Sequence, residues 1–438
     1  MGRRNIVWLW SITAALAGFL FGFDTAVISG AEQAVQRVWA MSDALHGLAI
    51  SSALWGTVLG ALLGSIPSDR FGRRPTLIGI GVLYAVSAFG SAFAWNPSSF
   101  MLFRFLAGLG IGASSIATPV YISEIAPPDK RGRLVAMFQF NIVAGILAAY
   151  VSNWLLGGLG PDDWRYMLGV QAIPAVFYLS AACLIPESPR WLAISRGHME
   201  EARAILARSD GANADAILAA VSEEQPRVTL RQFYSARFSR PILLAFLIAF
   251  FNQLSGINAI IYFAPRILET AGLAQTGALL ASVGIGVTNL IFTIAGVLLI
   301  DRVGRRALMF AGSIGYLVSL GMVAWGFGSQ HYAVVPGFIF LFIAAHAIGQ
   351  GTVIWVYISE IFPNAARARG QALGSATHWV LAALLTLVMP VLLASLAPSL
   401  IFLLFFGMMV LQLLFVLFLM VETRGRSLES VSHALERT

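Results

Sequence analysis

The stretch Asp69-Arg70-Phe71-Gly72-Arg73-Arg74 returns as Asp301-Arg302-Val303-Gly304-Arg305-Arg306, and this echo decides the fold. Each copy is a short charged loop set between long apolar runs. Working outward from it, Tyr121-Ile122-Ser123-Glu124 returns as Tyr357-Ile358-Ser359-Glu360, and Arg131-Gly132 as Arg369-Gly370. Pro186-Glu187-Ser188 returns as Val421-Glu422-Thr423. Four matched pairs, in one order and at a nearly constant offset, indicate a duplicated unit. Duplicated halves with apolar spans are a signature of transporters that work about a central site.

The composition around these loops agrees. The chain has 438 residues, of which 58% are hydrophobic and 11% charged; a soluble domain carries about 25% charged residues. A soluble enzyme, a disordered chain and a disulfide-stapled secreted module are excluded. At about 20 residues per crossing, twelve apolar segments are read: 6–30, 45–67, 75–95, 98–124, 133–156, 165–185, 241–268, 276–299, 307–327, 332–359, 370–395 and 398–421. The expectation is an all-α integral membrane protein with twelve transmembrane helices, pseudo-symmetric as six plus six, and a cytoplasmic helical insert. Its parts are an N-terminal six-helix bundle (1–186), a cytoplasmic helical linker (187–240), a C-terminal six-helix bundle (241–421) and a cytoplasmic tail (422–438).

Charge sets the direction. With the N-terminus in the cytoplasm, only Arg37, Arg165 and Arg266 of the 28 arginines and lysines fall outside, and Arg104 falls within a span. That obeys the positive-inside rule, returns the C-terminus to the cytoplasm and suits a cell (inner) membrane. The net charge of +7 then belongs to basic loops and not to a nucleic-acid surface. The single cysteine, Cys183, lies in an apolar run and is expected to be a buried structural thiol. It offers no disulfide or metal cluster, and neither a metal nor a cofactor is expected. With no nucleophile–base set or phosphate loop, the chain does not read as an enzyme.

The repeated loops pair acids with arginines at cytoplasmic helix ends, where arginine grips a carboxylate through two bonds and helix N-termini favour anions. They are expected to form a latch of Asp69, Arg73, Glu124, Arg131 and Glu187, mirrored by Asp301, Arg305, Glu360, Arg369 and Glu422.

With these motifs assembled, the chain closely resembles the sugar porter family of the major facilitator superfamily. The matching stretches are Gly22-Phe23-Asp24-Thr25-Ala26-Val27-Ile28-Ser29-Gly30, both Asp-Arg-x-Gly-Arg-Arg loops, Pro186-Glu187-Ser188-Pro189-Arg190-Trp191-Leu192, Asn252-Gln253-Leu254-Ser255-Gly256-Ile257-Asn258 and Glu422-Thr423-Arg424-Gly425-Arg426-Ser427-Leu428-Glu429. Val421 stands where the family usually has proline, Asn252 where many members have glutamine, and Ile146 where several bacterial members have a sugar-contacting glutamine. Gly349-Gln350-Gly351-Thr352-Val353-Ile354-Trp355 replaces a proline-rich form, which should stiffen span ten.

Two charges lie deep in the spans, where each costs about 2.5–3.5 kcal/mol and is functional by default. Asp24 lies six residues from the expected outer end of span one, and Arg104 six residues into span four. Both sit roughly 9 Å below the outer surface and are expected to pair. The resemblance sharpens this, because proton-coupled sugar porters carry aspartate at the position of Asp24 where animal facilitative members usually carry asparagine. It implies a proton switch at Asp24 and Arg104.

A sugar needs amides to match its hydroxyls and aromatic rings to cover its C–H faces. The candidates are Gln139 in span five, Asn252, Gln253 and Asn258 in span seven, Asn289 in span eight, Trp355 in span ten and Trp379 in span eleven, with Gly256 as a break point. The resemblance implies sugar contact at Gln139, Gln253, Asn258, Asn289 and Trp355. Tyr262 and Phe263 are candidate apolar walls or an outer gate, and Phe21 reads first as a core aromatic and second as such a wall. His346 and His378 lie in local matches to animal fructose transporters, although that branch usually lacks the tryptophan at the position of Trp355. The resulting expectation is a proton-coupled monosaccharide symporter working by alternating access as a monomer, for a hexose such as glucose or fructose or for a pentose. The alternatives are a facilitative sugar or polyol uniporter and a non-transporting sugar sensor.

Overall fold

The computed structural model describes residues 3–127, 130–209, 228–426, 430, 431 and 435, with side chains from Ile6 onward. Parts of the expected linker (210–227) and tail (427–429, 432–434, 436–438) lie outside the described residues. Among the described residues there is no strand.

The first span is Arg3–Val38, the second Asp43–Leu63 continued by Ser65–Phe71, the third Arg73–Ala92, the fourth Pro97–Ile125 and the fifth Arg131–Leu156. The eighth is Gln275–Val303, the ninth Arg305–Gly328, the eleventh Asn364–Ser395 and the twelfth Pro398–Phe418. Sequence dictates several ends. Asn96 accepts from the Ser99 N–H while Ser99 Oγ accepts from the Asn96 N–H, with Pro97 at the first helical position. That reciprocal cap satisfies N–H groups left open at any helix start.

Three further spans are interrupted among the described residues, each for a local reason. The sixth divides into Asp163–Gly169 and Ala172–Ala182. Pro174 has no N–H to offer the Val170 carbonyl one turn earlier, so the helix breaks there. This is why, among the described residues, eleven helices are individually long and apolar enough to cross a membrane, while the fold is the expected twelve-span one. The seventh divides into Ser239–Leu254, Ile257–Tyr262 and Ala264–Thr270. Its first break is at Gly256, whose φ of +87° suits a residue without Cβ. The tenth runs as Val335–His346, a π-helical turn Ala347–Gly351, and Thr352–Glu360. The widened turn lies in the stretch where the proline-rich form is missing. Thr352 Oγ1 donates to the Ala347 carbonyl at 2.6 Å and holds the widened turn.

Two further expectations change. The first helix continues past Gly30 to Val38 and carries Glu32 into the interior, fully buried. Cys183 is exposed, because the sixth span turns that face outward beside Leu184, which is 83% exposed. After the sixth span, the surface helix Met199–Ser209 buries Ala202, Ile205 and Leu206 and exposes Glu200 and Glu201. That is the amphipathic spacing of a helix with one covered face.

The chain groups into two compact units. One comprises Met1–Ala31, Ser52–Ser152 and Gly158–Gln225; the other comprises Glu32–Ser51, Asn153–Gly157 and Pro226–Thr438.

Candidate functional site

In the first unit, Arg104 Nη1 donates to Asp24 Oδ1 at 2.6 Å, and Arg104 Nη2 reaches the Asp24 backbone carbonyl at 3.4 Å. Each residue is only 1% exposed. The predicted pairing of these two deep charges is thus what the side chains do. The pair is incomplete, since Asp24 Oδ2 and Arg104 Nε lack hydrogen-bond partners. A buried ion pair repays its desolvation only when its remaining lone pairs and protons are satisfied. Asp24 Oδ2 is therefore a buried carboxylate oxygen left without a hydrogen bond. Gln139, in the same unit, is half-buried on the fifth span.

In the second unit, polar residues of the broken seventh span gather with residues of the tenth and eleventh. Asn258 Nδ2 donates to Gln253 Oε1 at 2.8 Å, and Gln253 Nε2 donates to Asn252 Oδ1 at 3.0 Å. Gln253 Nε2 also lies 3.1 Å from the His378 ring nitrogens. The His378 ring stands 5.2 Å from the Trp355 ring and 4.6 Å from that of Trp379, edge-on to the latter. Gln253, Asn258, His378, Trp355 and Trp379 thus form one amide–aromatic cluster, the chemistry a sugar needs. Asn252 turns away from it, donating to Gln350 Oε1 at 3.4 Å. Asn289 is buried, and its side-chain oxygen accepts from Thr293 one turn along its own helix. His346 pairs with Tyr316 Oη at 2.6 Å. Phe21, Tyr262 and Phe263 are all buried.

A third group went unread in the sequence. Glu32 is gripped at both oxygens by Arg266, at 2.9 and 2.8 Å. Arg266 also donates to Gln36 Oε1 at 2.7 Å. A His46 ring nitrogen lies 3.2 Å from Glu32 Oε2, with both side chains fully buried. Glu32 falls in register with Asp24 along one helix, two turns on, and that periodicity was the available signal.

The repeated loops build two matching latches. Arg73 Nε and Nη2 grip Glu124 at 2.9 and 3.0 Å, and Arg73 Nη1 reaches Asp69 at 3.1 Å. Arg305 grips Glu360 at 3.0 and 2.7 Å and reaches Asp301 at 3.0 Å. Glu187 accepts from the backbone N–H groups of Arg73 and Arg74, which open the third span, and Glu422 from those of Arg305 and Arg306, which open the ninth. A carboxylate at a helix N-terminus is favoured by the open N–H groups and the helix dipole. Gly72 and Gly304 make this possible with φ of +109° and +103°; a Cβ on either would run into the Glu187 or Glu422 carboxylate. Arg131 is exposed, and Arg369 donates to the Val228 carbonyl at 2.6 Å.

Burial is the largest influence on Glu187 and holds its carboxyl above the ordinary 4.5, against the N–H groups of Ser188, Arg74 and Arg73 and the Arg73 charge. For Glu422 burial also pushes upward, but the N–H groups of Arg424, Arg305, Arg306 and Thr423 together outweigh it and leave the carboxyl below 4.5.

Comparison with known proteins bears on these sites. The family described as sugar (and other) transporter matches residues 10–435. The D-xylose-proton symporter of Escherichia coli (strain K12) is 34% identical over 86% of this chain and 84% of its own. The glucose transporter GlcP of Staphylococcus epidermidis is 33% identical over 98% of this chain and 97% of its own. Among solved structures, the xylose transporter XylE from E. coli in its inward-open conformation superposes with a TM-score of 0.87 at 30% identity, covering 98% of this chain and 99% of that one.

Proposed function

The chain belongs to the sugar (and other) transporter family, and from that premise we propose that it is a proton-coupled monosaccharide symporter. Membership makes it a multi-pass membrane transporter and not an enzyme. The observation that carries proton coupling is the buried Asp24–Arg104 pair with Asp24 Oδ2 unpaired. A proton arriving at Oδ2 neutralises the carboxyl and loosens its hold on Arg104. A buried arginine without its partner is strongly disfavoured, so protonation and helix rearrangement are linked. The relatives named for D-xylose with proton and for glucose support the same reading.

In this reading the sugar is held by the cluster of Gln253, Asn258, Trp355, His378 and Trp379, joined by Asn289. The amides exchange hydrogen bonds with the hydroxyls, and the rings cover the C–H faces. The substrate is a neutral hexose or pentose, because this cluster brings no acid or arginine to pair with a charged one. Transport proceeds by alternating access, the two latches holding helix ends in one of the states. The protein works as a monomer in the cell membrane with both termini cytoplasmic.

The experiment is uptake into proteoliposomes over a panel of hexoses and pentoses, with and without an imposed pH gradient. Accumulation of at least one sugar that requires the gradient, with counterflow in its absence, is expected. Counterflow with no accumulation would make the protein a uniporter. No counterflow of any sugar would overturn the reading.

A further inference from the structure

We propose that Gln350 is a positioning residue for the sugar, the middle of a one-way chain of amides that fixes how Asn252, Gln253 and Asn258 are oriented. The inference rests on the sugar-transport reading above.

The chain is continuous. Asn258 donates to Gln253 at 2.8 Å, Gln253 to Asn252 at 3.0 Å, and Asn252 to Gln350 at 3.4 Å. Gln350 Nε2 then donates to Gln412 Oε1 at 2.8 Å, and Gln412 Nε2 to Ser313 Oγ at 2.8 Å. Ser313 Oγ donates to the Met309 carbonyl at 2.8 Å. Gln253, Gln350, Gln412 and Ser313 are fully buried, and Asn252 is 2% exposed.

The far end sets the sense. The Met309 carbonyl only accepts, so Ser313 donates to it and is left to accept from Gln412. Gln412 must then present its oxygen to Gln350, and Gln350 its oxygen to Asn252. Carried through, this places the Gln253 oxygen toward Asn258 and the Gln253 nitrogen toward Asn252 and His378. Asn258 Oδ1 and the second N–H of Asn258 are what remain for a hydroxyl, the second Gln253 N–H lying toward His378. In a low-dielectric interior such chains polarise one another, and a broken link is costly along its length.

Local backbone structure lets Gln350 do this. It sits in the π-helical turn Ala347–Gly351. There the tenth span meets the ninth at Gly349 and Gly312, where a Cβ on Gly312 would lie only 3.0 Å from the Gly349 Cα. Larger residues would hold Gln350 too far from Gln412 and Ser313. The turn that replaces the proline-rich form is thus the bridge between the amide cluster and the ninth and twelfth spans.

The test measures counterflow KM and kcat, the preference between two epimeric sugars, and Tm, in the full-length protein. Gln350→Met keeps length but cuts the chain, and KM should rise on the order of tenfold with altered epimer preference. Gln350→Glu, buried and protonated, donates to Gln412 and accepts from Asn252 as the amide does, and should restore KM to within about threefold of wild type. Gln350→Met with Gln412→Met removes the orphaned Gln412 oxygen, so Tm should recover while KM stays raised. Should Gln350→Met fail to fold, Gln412→Met cuts the same chain one link further on and carries the same expectation. Wild-type KM and epimer preference in the folded methionine variants would overturn the proposal, as would KM recovering together with Tm in the double variant. A wild-type protein silent toward every sugar would instead remove the transport reading and this inference with it.

Discussion

Arg104 and Asp24 form an ion pair in the interior of the first unit, whereas the second unit buries the uncharged chain from Asn258 through Gln350 to Ser313 and, apart from it, the Glu32 carboxylate held by Arg266. At the looped helix ends the two halves repeat each other. Arg73 and Arg305 grip Glu124 and Glu360, and Glu187 and Glu422 close on the next helix start. Duplication has therefore kept what holds helices together and let the interiors diverge. In the function proposed above, Asp24 in one half takes the coupled proton, and the amides of the other match the hydroxyls of the sugar. Even the latches differ in one detail. Tyr121 Oη donates to the Pro186 carbonyl, whereas Tyr357 Oη accepts from the Val421 N–H. The replacement of a proline by Val421 supplies that donor and reverses the bond.

The comparison breaks most visibly at the ion pair. Arg104→Leu strands the Asp24 carboxylate and should cost about 3–5 kcal/mol of stability, read as a large fall in detergent-solubilised Tm. Gln253→Leu removes no charge and should leave Tm far closer to wild type. A second cut separates the two duties. Gln253→Leu or Trp355→Ala should raise sugar KM on the order of tenfold or more while accumulation keeps its dependence on the pH gradient. Loss of that dependence in either variant would show that the halves do not divide the work.

The latches sharpen the symmetry. Arg73→Gln and Arg305→Gln each leave a carboxylate pair short of its partner, at about 1–3 kcal/mol; comparable Tm losses are expected, and a several-fold difference would show that the copies have drifted apart in role. The smallest effect is one of pH. Glu422 sits below its ordinary 4.5, so its stabilisation is present above that value and is lost as pH falls through the lower folded value. Glu187 sits above 4.5, so its contribution is present below that value and is lost as pH rises through the higher folded one. Glu422→Gln should therefore flatten the Tm profile on the acid side of 4.5, and Glu187→Gln on the other.

Much of this was written in the sequence because charge is rare in it. Asp24 and Arg104 stood out against apolar surroundings and were read as partners, and the repeated loops announced both halves and most of each latch. The spans were legible by length and apolarity, the sixth included, although its break ahead of Pro174 was not. What escaped needed three dimensions. Glu32 looked like a loop charge because the first span seemed to end at Gly30, and only its contact with Arg266 and His46 reveals a buried site. Gln350 and Gln412 are single amides in apolar helices, and nothing in their own neighbourhoods points to a partner on another span. Cys183 was assigned inward by hydrophobicity alone, which cannot tell a lipid-facing side from a core. Arg369 recurs faithfully yet donates to the Val228 backbone carbonyl, since a repeat records position and not contact.

The central claim is that Asp24 carries the coupled proton. It is tested most directly by Asp24→Asn in proteoliposomes, following sugar accumulation under an inward pH gradient and sugar exchange without one. The account predicts that accumulation against a gradient disappears while exchange continues. An Asp24→Asn protein that still concentrates sugar would contradict it.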